Sequence, residues 1–345
     1  DPSGAPLKST QQLNVDWSKW ENHTFFNSAQ AKVQTSLNQI INEYPFDGSK
    51  TDYIDFIDSL TGFTKYVLSL FPKNVGSLQF SGSSAPTVEG YGSYLSVNDF
   101  QGTGDIPGIL GASGKNILDF SYLPFTIEAT IFIPSGSQND NAVILQRLSG
   151  STKGITMAVT SSSDLASGSA KTKLYTFLSS GSEIISASVD LDKGVFQHIA
   201  AVYDRNDTGK LLLYVNGIRE STSSQSAVFG DYGFQAETTK IGSGALHSFS
   251  NSEFLPAQTL SGALDEFRWF HEKRSEDQIQ NFANQTIFPN KDQKLRLYFR
   301  FNEPSGSFGI DGEGGNPSLV LDYSGNGLHT PVTNFDMSLR ETGSL

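Results

Sequence analysis

Phe196-Gln197-His198-Ile199-Ala200-Ala201-Val202-Tyr203, followed after a short turn by Leu211-Leu212-Leu213-Tyr214-Val215-Asn216-Gly217, is the stretch whose reading decides the fold class. Both runs are short, apolar and rich in β-branched and aromatic residues, which suit a pleated, half-buried surface. Asp207-Thr208-Gly209 turns the chain between them. Asn216-Gly217 turns it again, because a type I′ turn needs positive φ at both central residues and Asn and Gly tolerate that. The stretch therefore predicts antiparallel strands joined by tight hairpins. Phe196, His198 and Ala200 share one strand face. Phe196 is expected in the core, where truncation to Ala would cost roughly 3–5 kcal/mol. His198 is expected as a core histidine with its hydrogen bonds satisfied.

The same period of two extends outward in both directions. Phe125, Ile127, Ala129, Ile131 and Ile133 alternate with Thr126, Glu128, Thr130 and Phe132. Ile155, Met157 and Val159 alternate with Thr156 and Ala158, and Leu295, Leu297, Phe299 and Phe301 alternate with Arg296, Tyr298 and Arg300. About a dozen short strands with regular turns describe an antiparallel sandwich or barrel. One short helix is expected over 276–284, opened by the capping box Ser275-Glu276-Asp277-Gln278. The N-terminal part reads differently. Val33, Leu37, Ile40, Ile41 and Tyr44, then Tyr53, Phe56, Ile57, Leu60, Phe63, Val67 and Leu70, recur at helical spacing and predict a helical hairpin over 28–71. Each helix would carry one apolar face that must be covered by the sandwich, a partner subunit or another part of a longer chain. The expected organisation is a helical extension over 1–75, a sandwich over 76–290, and a strand and loop segment over 291–345.

Composition excludes several classes. The formal net charge is −12, from 24 Lys+Arg against 36 Asp+Glu. No dense basic run is present, so neither a phosphate backbone nor an anionic membrane is an expected partner. Cysteine is absent, which removes disulfides, thiolate metal sites and cysteine nucleophiles. No apolar run reaches the roughly 20 residues needed to span a bilayer, so no membrane insertion is expected. The chain opens at Asp1-Pro2 and ends at Gly343-Ser344-Leu345, which suggests a piece of something longer or a processed product.

Three stretches, taken in order, resemble laminin-G-like domains of the concanavalin A-like lectin/glucanase superfamily. They are Phe125 to Thr130, the two runs quoted above, and Ser261-Gly262-Ala263-Leu264-Asp265-Glu266-Phe267-Arg268 with Arg274-Ser275-Glu276-Asp277-Gln278-Ile279. The resemblance covers roughly residues 90–285 and implies a jelly-roll sandwich of two antiparallel sheets. Tyr298-Phe299-Arg300-Phe301-Asn302-Glu303 and Leu321-Asp322-Tyr323-Ser324-Gly325-Asn326-Gly327 look like the strand and loop that normally open such a domain, yet here they follow it. Return of this segment to the same sandwich is favoured over a second unit, because too few residues remain after 330. The whole chain also resembles structural proteins of tailed bacteriophages, especially marine ones, through Val15-Asp16-Trp17, Tyr44-Pro45-Phe46-Asp47-Gly48, Leu60-Thr61-Gly62-Phe63 and the run from Thr259 to Arg268. That implies a virion protein of the tail or baseplate, assembled with other virion proteins in the host cytoplasm.

No catalytic constellation is legible. Retaining glycoside hydrolysis needs two carboxyls about 5–5.5 Å apart, and adjacent strand residues such as Asp265-Glu266 point to opposite faces. Asp190-Leu191-Asp192 has the right parity but reads as a solvated turn. The histidines, at 23, 198, 247, 271 and 329, show no metal or triad spacing. The resemblance implies one metal, a structural calcium at Asp265, because related jelly rolls often hold one at that place. Tyr232, His247, Phe249 and Asn251 are the candidate ligand-binding residues, in a loop-rich region that also holds Phe229 and Phe254. The expected function is a non-enzymatic virion protein whose lectin-like sandwich contacts protein or host glycan. The alternatives are a free-standing carbohydrate-binding module and, third, a glycoside hydrolase.

Overall fold

The chain divides into two compact units, Asp1–Lys73 and Asn74–Leu345. The computed structural model describes residues 76–83, 92–99, 116–136, 140–160, 170–234, 238–249, 252–283, 286–287, 294–303 and 318–342, all in the second unit. The helical pair expected over 28–71 lies outside the described residues.

Eighteen strands and one α-helix are described. In chain order they are β1 (Gly76–Ser83), β2 (Tyr94–Val97), β3 (Phe125–Phe132), β4 (Ala142–Ser149), β5 (Lys153–Thr160), β6 (Lys171–Ser180), β7 (Glu183–Asp192), β8 (Phe196–Asp204), β9 (Lys210–Val215), β10 (Ile218–Thr222), β11 (Thr239–Ile241), β12 (His247–Phe249), β13 (Ser252–Phe254), β14 (Thr259–Phe270), α1 (Glu276–Phe282), β15 (Leu295–Phe299), β16 (Leu319–Val320), β17 (Thr330–Thr333) and β18 (Arg340–Thr342). Sheet A has the order β10-β9-β8-β3-β14-β1-β18, with β15 also on β14; sheet B has the order β16-β17-β2-β11-β4-β5-β6-β7. The short hairpin β12-β13 forms a third, separate sheet. Among the described residues every strand pairing is antiparallel, so the expected sandwich of two antiparallel sheets is present.

The core follows from the alternation. Phe125, Ile127, Ala129 and Ile131 of β3, Ile155, Met157 and Val159 of β5, and Leu211, Leu213 and Val215 of β9 all belong to one buried cluster between the sheets. Each fully buried Leu, Ile or Phe there contributes roughly 1.5–3 kcal/mol over an exposed one. Asn216-Gly217 forms the expected turn, with φ of 50° and 80°. Gly217 is required twice over, since a Cβ there would meet the Gln280 Cα at 2.7 Å where α1 crosses the hairpin. The capping box at Ser275 is present, with the Ser275 hydroxyl accepting from Gln278 N and the Gln278 side chain accepting from Ser275 N.

Two expectations about β8 change. Its inward residues are Ile199, Ala201 and Tyr203, which belong to the main core. Phe196, of opposite parity, therefore lies on the outer face of sheet A, half-buried against Phe132 with ring centroids 5.1 Å apart. His198 shares that face, and its two ring nitrogens make no hydrogen bond among the described residues. It is nonetheless buried at 2% exposure, because the chain from Arg268 onward folds back over the face.

β14 organises that fold-back. Its register against β3 shifts between Asp265 and Arg268, with Glu266 at φ 48°. Before this bulge β14 pairs with β1, and after it with β15. One extra residue in a strand bends it and re-aims its side chains. The C-terminal segment thus supplies β15 and β18 to sheet A and β17 to sheet B. A buried pair fastens it, with Arg340 Nη1 2.6 Å from Glu303 Oε2.

Candidate functional site

The outer face of sheet B carries a solvent-open cavity. Tyr175, Phe177 and Ser179 of β6 alternate outward, as do Ile184 and Ser186 of β7, because their neighbours Leu174, Leu178, Ile185 and Ala187 fill the core. The hairpin β12-β13 lies over this face. Phe177 is its anchor, with ring centroids 4.8 Å from His247, 5.1 Å from Phe249, 5.4 Å from Phe254 and 5.3 Å from Tyr175. Where the hairpin stops short of β7, a groove of about 320 Å³ remains. Its floor is Tyr175, Ile184 and Ser186; Phe249 and Ser252 form one wall, and Ser224 and Gln225 the other.

His247 holds the hairpin down through a directed chain of hydrogen bonds. Gln146 Nε2 donates to Thr156 Oγ1 at 3.0 Å, which leaves the Thr156 hydroxyl to donate to His247 Nδ1 at 2.9 Å. Ser179 Oγ donates to the Thr152 carbonyl at 3.0 Å, so it accepts from His247 Nε2 at 2.6 Å. Both ring nitrogens are satisfied only in the neutral Nε2-H tautomer, since one must accept and the other donate. Burial pushes the imidazole pKa down to about 4.

The other candidate residues are placed elsewhere. Tyr232 is fully buried at 0% exposure, its ring 4.9 Å from Phe120 and its hydroxyl donating to the Ser179 carbonyl, so it is a core residue facing away from solvent. Phe249 lines the groove. Asn251 lies outside the described residues. Phe229 and Phe254 are buried. Asp265 is fully buried in the β14 bulge, where its Oδ1 accepts the Glu266 amide at 2.8 Å. Among the described residues no group of three or more His, Asp or Glu is arranged to hold a metal ion.

The carboxylates best placed for acid–base work are committed to ion pairs. Under α1, Glu128 receives Arg274 Nη1 at 2.7 Å and Arg268 Nη1 at 3.4 Å, with His198 Nε2 3.7 Å away. Burial pushes the Glu128 pKa up, but His198 and the two guanidinium groups outweigh it and hold the carboxyl down to about 2. Glu266, re-aimed by the bulge, takes Arg268 Nη2 at 2.8 Å, the Tyr298 hydroxyl, and Thr286 Oγ1 at 3.2 Å. Inside the sandwich Arg147 bridges Asp99 and Asp119, each at 2.8 Å, with its guanidinium over Phe234. None of these groups lines the groove, whose seven lining residues include no carboxylate.

Of the candidate ligand-binding residues Phe249 lines the groove, while its other lining residues, Tyr175, Ile184, Ser186, Ser224, Gln225 and Ser252, were not among the candidates. The outward polar–aromatic alternation of β6 and β7 was a usable signal. Which segment would cover it was not.

Among the described residues no helix is long and apolar enough to cross a membrane. No curated protein sequence matches the chain. Several solved structures are similar. One is a candidate carbohydrate-binding protein from Bacteroides ovatus, with 17% identity and a TM-score of 0.46, the match covering 79% of this chain and 60% of that one. Another is the heptameric serum-amyloid-P-like pentraxin of Limulus polyphemus, with 16% identity and a TM-score of 0.42, covering 65% and 88%. A third is the carbohydrate-binding module of the Ruminococcus gnavus intramolecular trans-sialidase, with 13% identity and a TM-score of 0.36, covering 56% and 98%. This chain thus spans about three-fifths of the length of the Bacteroides protein. Residues 112–280 match the laminin-G-like model of the concanavalin A-like lectin/glucanases superfamily, and this match supports, for the central segment, the family resemblance carried by its three sequence motifs.

Proposed function

We propose that this chain is a non-enzymatic structural protein of a tailed-bacteriophage virion that uses its lectin-like sandwich to hold a glycan in the groove on sheet B. The observation that carries the glycan reading is the lining itself: the rings of Tyr175 and Phe249 stand beside three serine hydroxyls and one glutamine amide. Aromatic faces accept the apolar faces of sugar rings, and a few fixed hydroxyl and amide groups orient the ligand. Among the described residues the groove lining offers no carboxylate pair to act as acid and nucleophile for glycosidic hydrolysis. The family match over residues 112–280 supports a binding module. The virion role rests on the phage-like stretches read in the sequence, with the segment over 1–75 as the attachment element.

A glycan array on the full chain tests the binding reading. Hits that vanish in Tyr175→Ala support it, and an array without hits refutes it. Mass spectrometry of purified particles tests the virion role, which fails if the chain is absent from them.

A further inference from the structure

We infer that the groove takes a neutral saccharide of one or two sugar rings, an inference that rests on the glycan reading above. Three observations set the class. First, among the described residues no charged side chain lines the groove. An acidic sugar is normally held by a cation matched to its carboxylate, with Arg as the usual bidentate partner. Lys173 lies on the same outward parity as Tyr175, two residues along β6, and its Nζ is already 2.8 Å from Asp190 Oδ1. Second, the net charge of −12 disfavours the approach of an anionic ligand. Third, a volume of about 320 Å³ is at the low end of the roughly 300–1,000 Å³ of small-molecule sites, too small for a long oligosaccharide to be buried. The polar groups are matched to hydroxyls. Ser186, Ser224 and Ser252 can each donate or accept, and Gln225 offers a carbonyl and an amide. A neutral pyranose has the same mixed character, with apolar ring faces for Tyr175 and Phe249.

The test is titration calorimetry of the full chain with neutral mono- and disaccharides and, separately, with their sialylated or sulfated counterparts. Binding of a neutral sugar, weakened at least tenfold in Tyr175→Ala and in Ser252→Trp, is expected. Ser252 is exposed at the rim, so Ser252→Trp fills the groove without removing a core contact and serves if Tyr175→Ala fails to fold. Salt should leave the neutral affinity unchanged, because no ion pair forms. Binding confined to acidic sugars overturns this inference and leaves the glycan reading standing. Neutral binding that both variants retain overturns the groove assignment. No binding of any sugar removes both.

Discussion

Acidification is the perturbation that separates this packing from a generic sandwich. His247 and His271 are both buried, with no carboxylate partner among the described residues. Burial holds the first down to about 4, and burial together with the nearby guanidinium groups of Arg296 and Arg147 holds the second down to about 3. An unfolded histidine titrates near 6.5. The folded state therefore binds fewer protons than the unfolded state below that value, so stability is fully present above about pH 6.5 and falls as the pH drops. Each pKa unit is worth about 1.36 kcal/mol, so at pH 5 each histidine has cost the fold about 2 kcal/mol. For His247 the loss ends near its folded pKa of about 4, at roughly 3 kcal/mol. Glu128, held down to about 2, stays ionised in the folded state but titrates near 4.3 when unfolded, so it adds little at pH 5 and a further loss below that. Two such histidines together remove about 4 kcal/mol at pH 5 from a stability of the usual 5–15 kcal/mol. The assay is urea unfolding at pH 7 and pH 5, followed by the fluorescence of Trp269, which is fully buried. The midpoint should fall markedly at pH 5. His247→Gln keeps one donor and one acceptor for Ser179 and Thr156, and should recover about half of the loss. Equal midpoints at the two pH values, or an undiminished loss in His247→Gln, would refute the reasoning.

Other predictions concern single side chains. Phe125→Ala should cost roughly 3–5 kcal/mol and Phe196→Ala only about 1, because the first is in the core and the second half-buried on the outer face; urea midpoints that rank them the other way would reverse the assignment of faces. Arg274→Met should cost roughly 3–5 kcal/mol, since it strips the closest partner from a fully buried Glu128, and Glu128→Gln in the same chain should restore part of that loss. The structural calcium proposed at Asp265 is tested by melting in calcium and in chelator: a higher melting temperature in calcium, lost in Asp265→Ala, is expected, and equal temperatures would remove the ion from that place.

The two sides of sheet A show where legibility ended. Alternation placed Ile127, Leu213 and Met157 inward correctly, because a period of two is a local property of the backbone and one face must be dry. The same alternation could not say that the other face of β3 is dry too. Thr126, Glu128 and Thr130 are all buried there, since the segment after β14 closes over them. Phe196 was misplaced for the same reason: apolar residues occupy both faces of β8, and parity alone does not name the inner one.

The candidate site divides likewise. Phe249 could be picked out as a loop aromatic, but Tyr232 and His247 have the same sequence character and turn inward. The difference lies in long-range partners: Tyr232 stacks on Phe120, while His247 is bound by Thr156 and Ser179. By itself the sequence determined the strands, the Asn216-Gly217 turn, the Ser275 cap and the two-sheet architecture, all of which depend on near neighbours in the chain. Only the tertiary structure decided which face each covering segment seals, how the Glu266 bulge hands β14 from β1 to β15, and where a groove is left open. Those outcomes depend on contacts between residues far apart in the chain, and no local period encodes them.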